Sequence, residues 1–292
     1  MGYCCFEEGK DRTMSLQQRK TPIRMIALDL DGTLLNSEKH VSVRNRQALA
    51  AAAAAGVAVV PCSGRALDSI PQEVLQLEGV RYAVSSGGGA AYDLASGEEL
   101  VYNPVPAAIA HEVTDLTVAC GGWAECYSGR HSYTPAEQIA DIRAFMQDRD
   151  FVYLNRRPVQ ELHDWINVNA ACIVKLNLMF REAAQRTAVI EALQNRTDLI
   201  LSSASDHNLE VNAADGGKGD ALCALGARLG IPPQQIMACG DQLNDLSMLR
   251  AVGFPVAMGN AVPQIKEIAA HVTLTNEQDG VAAAVERFVL NV

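Results

Sequence analysis

Apolar residues in this 292-residue chain fall into short unbroken runs that alternate with stretches of helical spacing, the pattern of strands buried on both faces between covering helices. The first run, residues 24–30, ends in acidic residues and Gly32, as a buried strand does when it feeds a functional loop. Ser42 then caps an alanine-rich helix that Gly56 stops, and residues 57–62 form a second strand ending at Ser63-Gly64-Arg65. A helix over about 67–77 and a strand over 82–86 follow, running into Gly87-Gly88-Gly89. This order predicts parallel pairing with right-handed crossovers.

Beyond the glycines the pattern changes to hairpin pieces at 90–93 and 100–102 around Ser96-Gly97, then helices and isolated strands such as 171–180. Alternation resumes with a helix over 218–229, a strand over 236–239, a helix over 243–252 and a strand over 255–258. The expectation is an α/β protein with a Rossmann-like parallel core built from residues 23–86 and 206–292, interrupted by an inserted α/β domain over 87–205. Residues 1–22 are polar and lack an apolar signal core, so a flexible tail is expected, with Met14 as an alternative start. Met1-Gly2 raises N-myristoylation, but Phe6 stands where that motif wants Ser or Thr.

Composition narrows the function. Apolar residues make up 49% and charged residues 20% of the chain, without an apolar run of membrane-spanning length, so a soluble globular protein with no membrane partner is expected. A net charge of -10 with scattered Lys and Arg argues against nucleic acid, and any anionic ligand must be small and locally held. The eight cysteines form no CxxC pair and several sit in apolar runs; they read as reduced, buried thiols of a cytoplasmic protein.

Four segments carry candidate chemistry. Asp29-Leu30-Asp31-Gly32-Thr33 places two carboxylates two residues apart on extended chain, where both can point the same way before the glycine turns. Ser63-Gly64 offers a hydroxyl and backbone N–H groups that hold phosphate oxygens without net charge. Lys218 is a cation at a predicted helix start, the electrostatically wrong end unless it pairs with carboxylates or an anion. Gly240-Asp241-Gln242-Leu243-Asn244-Asp245 sets acidic residues directly after a strand, where Mg²⁺ finds oxygen ligands. Each alone also reads as an ordinary turn, cap or solvated lysine.

In this order the four segments resemble the motifs of the haloacid dehalogenase (HAD) superfamily and, within it, the Cof-type phosphatases, over residues 24–290. Val256-Ala-Met-Gly-Asn-Ala261 and Asp279-Gly280-Val281 look like that subfamily's terminal signatures; Gly88-Gly89-Ala90 departs from its usual Asn-Gly-Ala. The resemblance implies a HAD-like core with a cap that closes over the site and carries substrate specificity. It implies a nucleophile, Asp29, that forms an aspartyl-phosphate, and an acid/base, Asp31, that must be neutral at the first step, helped by burial and a neighbouring carboxylate. The implied cofactor is Mg²⁺, held by Asp29, Asp241 and the backbone carbonyl of Asp31, with Asp245 or Asn244 supporting. Ser63, the backbone at Leu30 and Gly64, Asn244 and Lys218 would cradle the phosphate, and losing Lys218 is expected to cost rate more than fold.

The expected activity is hydrolysis of a small phosphomonoester, a sugar phosphate or related metabolite. A phosphomutase or phosphotransferase on the same core, or a phosphoryl-accepting signalling domain, are the alternatives. His131, His163 and His207 have no partner at metal-ligand spacing and read as surface or packed residues, and Trp123, Tyr127 and Trp165 as packing inside the cap.

Overall fold

The computed structural model describes residues 21–145, 155–203 and 205–292. The expected tail, except for residues 21 and 22, and Met14 lie outside the described residues. The strands are β1 (Met25–Leu28), β2 (Ala58–Pro61), β3 (Tyr82–Ser85), β4 (Ala90–Asp93), β5 (Glu99–Tyr102), β6 (Trp123–Ser128) and β7 (His131–Pro135). They continue as β8 (Arg156–Val159), β9 (Ile173–Met179), β10 (Leu199–Ser202), β11 (Asn208–Ala213), β12 (Ile236–Gly240), β13 (Phe254–Ala257) and β14 (His271–Val272).

A parallel sheet of order β14-β13-β12-β1-β2 forms the core. β3 runs beside β2 through parallel bridges at Val59–Val80 and Cys62–Val84. All four residues of β1 are buried, as its unbroken apolar run requires of a strand covered on both faces. Because β1 lies between β12 and β2, strands are added in opposite directions from it, and the crevice at its carboxyl end is where open α/β sheets bind ligands. Ser42 caps the helix Val43–Ala54 by accepting from Asn45 N at 3.1 Å.

Two expected helices are not continuous. The 67–77 segment is a 3₁₀ turn, Leu67–Ser69, and a short helix, Gln72–Leu75, because Pro71 lacks an N–H and can only begin a helix. The 243–252 segment likewise splits into a 3₁₀ turn, Leu243–Asp245, and the helix Leu246–Ala251.

A second sheet of order β10-β11-β9-β6-β7-β8 is antiparallel except between β7 and β8. One face buries Ala124, Cys126, Leu176, Leu178, Leu209 and Val211 beneath the helices Ala107–Ala119, Leu162–Val168 and Ala183–Leu193, in an apolar cluster separate from that of the parallel sheet. The β4–β5 hairpin pairs with β3 and contributes Ala90, Ala91, Tyr92 and Val101 to the core cluster, although its residues fall in the expected insert. β11, inside the expected core segment, instead pairs with β9 and β10 in the second sheet. The chain changes sheets where its apolar residues change partners, which the glycine run does not mark.

The cysteine reading needs correction. Cys62, Cys126 and Cys239 are buried free thiols, but Cys120 and Cys223 are half-buried and Cys172 is exposed. Among the described residues no helix is long and apolar enough to cross a membrane.

Candidate active site

The carboxyl ends of β1 and β12 bring Asp29 and Asp241 together, and the turn after β12 adds Asp245. Their side-chain oxygens lie within 4.8 Å of one another and all three residues are buried. Lys218, at the start of the helix Lys218–Arg228, lies in the same crevice: its Nζ is 2.6 Å from Asp29 Oδ1 and 2.7 Å from Asp245 Oδ1. The cation at the unfavourable helix end is thus held by two carboxylates.

Each group's charge reflects this crowding. Burial, reinforced by the Asp245 charge, pushes the Asp29 carboxyl well above the ordinary range, while Lys218 pulls it down. Burial and Asp245 push Asp241 up to about 6, against a hydroxyl hydrogen bond that Thr33 donates to its Oδ1 at 3.0 Å. Burial disfavours the Lys218 ammonium, but Asp245 and Asp29 outweigh it and hold the pKa above the usual lysine range. Asp245 spends its second oxygen on the backbone N–H groups of Asp241 (3.0 Å) and Gln242 (3.2 Å), so it shapes the loop that carries Asp241. Three crowded carboxylates against one ammonium leave negative charge unbalanced, and an all-oxygen donor set of this kind fits a hard divalent cation. Asn244 Oδ1, on the same turn, is buried with no hydrogen-bond partner among the described residues, an acceptor of the kind that bound water satisfies.

Two glycines let these loops meet. Gly32 has φ +84°, and a Cβ there would lie 2.5 Å from Asp241 Oδ2. Gly88, in the segment that departs from the subfamily pattern, has φ +106°, and a Cβ would collide with the backbone of Gly217 and Lys218. The departure therefore packs against the chain that delivers Lys218.

Asp31 stands apart from the triad. Its carboxylate accepts from Arg65 Nη2 at 2.8 Å on both oxygens, from Arg65 Nε at 3.1 Å and from Lys39 Nζ at 2.9 Å. The expectation of a raised pKa is corrected here: burial does push Asp31 up, but Arg65 and Lys39 outweigh it and hold the group below the ordinary range. Its carboxylate is also not among the clustered candidate ligands, so of the four expected metal residues only Asp29, Asp241 and Asp245 come together through their side chains.

Ser63 follows β2, buried, its Oγ accepting from Arg65 N at 3.2 Å. Among the described residues the N–H groups of Leu30 and Gly64 donate to no backbone carbonyl, whereas Asp29 N reaches Cys239 O at 3.1 Å. Unspent donors at this edge suit phosphate oxygens.

The second sheet roofs this crevice with polar residues not singled out from sequence. Lys175 Nζ on β9 pairs with Glu210 Oε1 on β11 at 2.6 Å and donates to Gly64 O at 2.7 Å. Glu125 on β6 accepts from Thr134 Oγ1 at 2.6 Å and Asn177 Nδ2 at 3.0 Å, and pairs with Arg156. Glu125, Asn177 and Glu210 stand opposite one another across three strands. Burial lowers the Lys175 pKa against the pull of Glu210; burial would raise Glu125, but Arg156 keeps it below the ordinary range. The signal was present as Lys175 and Asn177 alternating with Val174, Leu176 and Leu178, a polar face at period two. Tyr127 lies under the Lys175 ammonium, 4.9 Å from ring centre to Nζ.

These features define a buried acidic crevice that could hold a metal ion, roofed by the second sheet. The model of the haloacid dehalogenase-like hydrolase family matches residues 26–285. Phosphatase YwpJ of Bacillus subtilis is 33% identical over 89% of this chain and 98% of its own length. The 5-amino-6-(5-phospho-D-ribitylamino)uracil phosphatase YcsE of the same organism is 30% identical over 95% of this chain and all of its own. A haloacid dehalogenase-like hydrolase structure from B. subtilis superposes with a TM-score of 0.79 at 28% identity, covering 90% of this chain and 99% of that one. The HAD subclass IIB sugar phosphatase BT4131 shares the fold, with a TM-score of 0.76 at 21% identity over 91% and 98% of the two chains.

The chain belongs to the haloacid dehalogenase-like hydrolase family, among its Cof-type members. Within that family it is a phosphatase, a phosphoric monoester hydrolase.

Proposed function

We propose that this phosphatase hydrolyses small, hydroxyl-rich phosphomonoesters, sugar or sugar-alcohol phosphates, with Mg²⁺ and an aspartyl-phosphate on Asp29. The observation that carries the reading is the meeting of Lys218 with Asp29 and Asp245, beside Asp241, at the carboxyl ends of two adjacent strands. On strand pairing and packing, the cap is the unit running from about residue 104 to 214.

Asp29, Asp241 and the Asp31 backbone carbonyl would hold the ion, which when bound screens carboxylate from phosphate and fixes the phosphate's orientation. Asp29 attacks phosphorus as the bond to the leaving oxygen breaks, and that oxygen takes its proton from Asp31. Asp31 then removes a proton from the water that cleaves the acyl-phosphate. Ser63, the Leu30 and Gly64 N–H groups, Asn244 and Lys218 bear on the transferring group, whose spread charge rewards donors already in place.

Because Arg65 holds Asp31 as a carboxylate in this structure, substrate must draw the guanidinium away before Asp31 can act as an acid. A phosphate oxygen pair offers Arg65 an equivalent two-point contact. The roof of Lys175, Glu210, Glu125 and Asn177 supplies neighbouring donors and acceptors, a surface suited to hydroxyls. The 30% identical relative acts on a phosphorylated ribityl chain, which supports a polyol leaving group.

The test is phosphate release across a metabolite panel in Mg²⁺ and in EDTA. Mg²⁺-dependent release from sugar or sugar-alcohol monophosphates is expected; release that is equal in EDTA, or confined to phosphodiesters, refutes the reading.

A further inference from the structure

Away from this crevice, two helices on the outer layer of the cap bring a pair of imidazoles together. His111 lies on the helix Ala107–Ala119 and His163 on Leu162–Val168, helices whose apolar sides, with Ala110, Val113, Leu162 and Ile166, share the cap's core cluster. The Nδ1 atoms face each other at 2.9 Å. His163 Nε2 is 2.6 Å from Asp115 Oδ1, and His111 Nε2 is 2.9 Å from Asn167 Oδ1.

These outer contacts fix the tautomers. The Asp115 carboxylate only accepts, so His163 Nε2 carries a hydrogen, and with Asn167 presenting its amide oxygen to His111 the His111 Nε2 carries one too. A neutral imidazole has a single N–H, which leaves both Nδ1 atoms as lone pairs aimed at one another. Such a contact is repulsive unless a cation lies between them. An N–H donated outward to a carboxylate or carbonyl oxygen is the arrangement that orients metal-ligating histidines.

The ring geometry points the same way. The ring centres are 4.6 Å apart with planes inclined by 33°. Two imidazoles in neighbouring positions of a square-planar or octahedral ion, with metal–nitrogen bonds of about 2.0–2.1 Å at roughly 90°, hold their nitrogens about 2.9 Å apart and their ring centres about 4.5 Å apart. A straight N–H···N bridge of ordinary length would spread the ring centres to about 5 Å or more. His163 is exposed and His111 half-buried, so an ion has access from solvent.

We propose that His111 and His163 form a second metal site, distinct from the aspartate cluster, for a divalent first-row transition ion that favours imidazole, with Asp115 and Asn167 orienting the rings. Water completes the coordination, and the bound ion ties the two cap helices together. The ligands are 52 residues apart in sequence, which is why His163 shows no partner at motif spacing. His163 is exposed, as the reading of it as a surface or packed residue expects, and its imidazole neighbour comes from another cap helix.

Calorimetric titration of the whole chain with Zn²⁺, under saturating Mg²⁺ to occupy the aspartate site, tests this together with NMR of ¹⁵N-histidine-labelled protein. The wild type should show one Zn²⁺ site that His111→Ala and His163→Ala each remove, and that Asp115→Ala weakens by about tenfold or more. Zn²⁺ should shift the two Nδ1 resonances while both Nε2 hydrogens persist. Identical Zn²⁺ isotherms for wild type and both histidine variants would overturn the site. So would an Nδ1 hydrogen that survives saturating Zn²⁺, since a shared proton would then be the only cation between the rings.

Discussion

Lys218→Met retains most of the side-chain stem and removes the ammonium from a pocket in which Lys218 is 2% exposed and Asp245 fully buried. Three carboxylates then face one another within 4.8 Å, and each pair at that separation repels by about 3 kcal/mol at an effective dielectric near 20. Loss of one partner from a buried ion pair costs about 3–5 kcal/mol, so in EDTA the variant should lose about that much stability, or roughly 6–15 °C in melting temperature. Protonation of one carboxylate caps the loss. Mg²⁺ should restore more stability to the variant than it adds to wild type, because an ion supplies the missing positive charge. Turnover should still fall by about 10²–10³, the cost of deleting one preorganised contact to the transferring group. Urea unfolding at neutral pH, with EDTA and with Mg²⁺, reads the first two effects. Equal midpoints for variant and wild type in EDTA would refute the reasoning. The structure thus alters the expectation that Lys218 serves rate more than fold: without metal it serves both.

Asp31→Asn should lose most turnover while keeping Mg²⁺ affinity, because its carboxylate lies outside the triad; calorimetry and steady-state rates separate the two. Arg65→Gln removes the largest influence holding Asp31 down, so the Asp31 limb of the pH–rate profile should move to higher pH. Mg²⁺ affinity should fall as pH drops through about 6, where Asp241 takes up a proton, measurable by calorimetry in buffers of differing ionisation enthalpy. The raised Asp241 pKa also means that in EDTA the folded chain holds more protons than the unfolded one between about pH 4 and 6, so stability should decline as pH rises through that window. Lys175→Met combined with Glu210→Gln removes both charges of the roof pair without leaving either buried alone. It should raise KM for sugar phosphates about tenfold or more, a discrimination of about 1–3 kcal/mol, and leave an aryl phosphate nearly unaffected.

The core was legible because β1 and β12 are unbroken apolar runs that end in acid-rich turns, and apolar run length and turn chemistry are properties of the local sequence. The need of Lys218 for carboxylate partners could be argued from its position at a helix start, and Asp29 and Asp245 supply them. Asp31 was harder to read. Its protonation depends on Lys39, 8 residues away, and Arg65, 34 residues away, and no spacing rule reports which cation folds back onto which carboxylate. The limits of the second sheet were hidden for a related reason: the β4–β5 hairpin looks like the start of a new unit, yet Ala91 and Val101 find their apolar partners in the core. Pro71, by contrast, was visible and should have divided the expected helix. The roof pair Lys175–Glu210 joins two strands 35 residues apart, so its polar alternation could be seen in sequence but not its partner.

Rapid acid quench of the enzyme with a ³²P-labelled monoester and Mg²⁺ shows whether Asp29 carries the phosphoryl group during turnover. A hydroxylamine-sensitive label on the peptide containing Asp29, absent from Asp29→Asn, is predicted. Undiminished phosphate release by Asp29→Asn, or turnover with no labelled peptide at any quench time, would exclude Asp29 as the carrier.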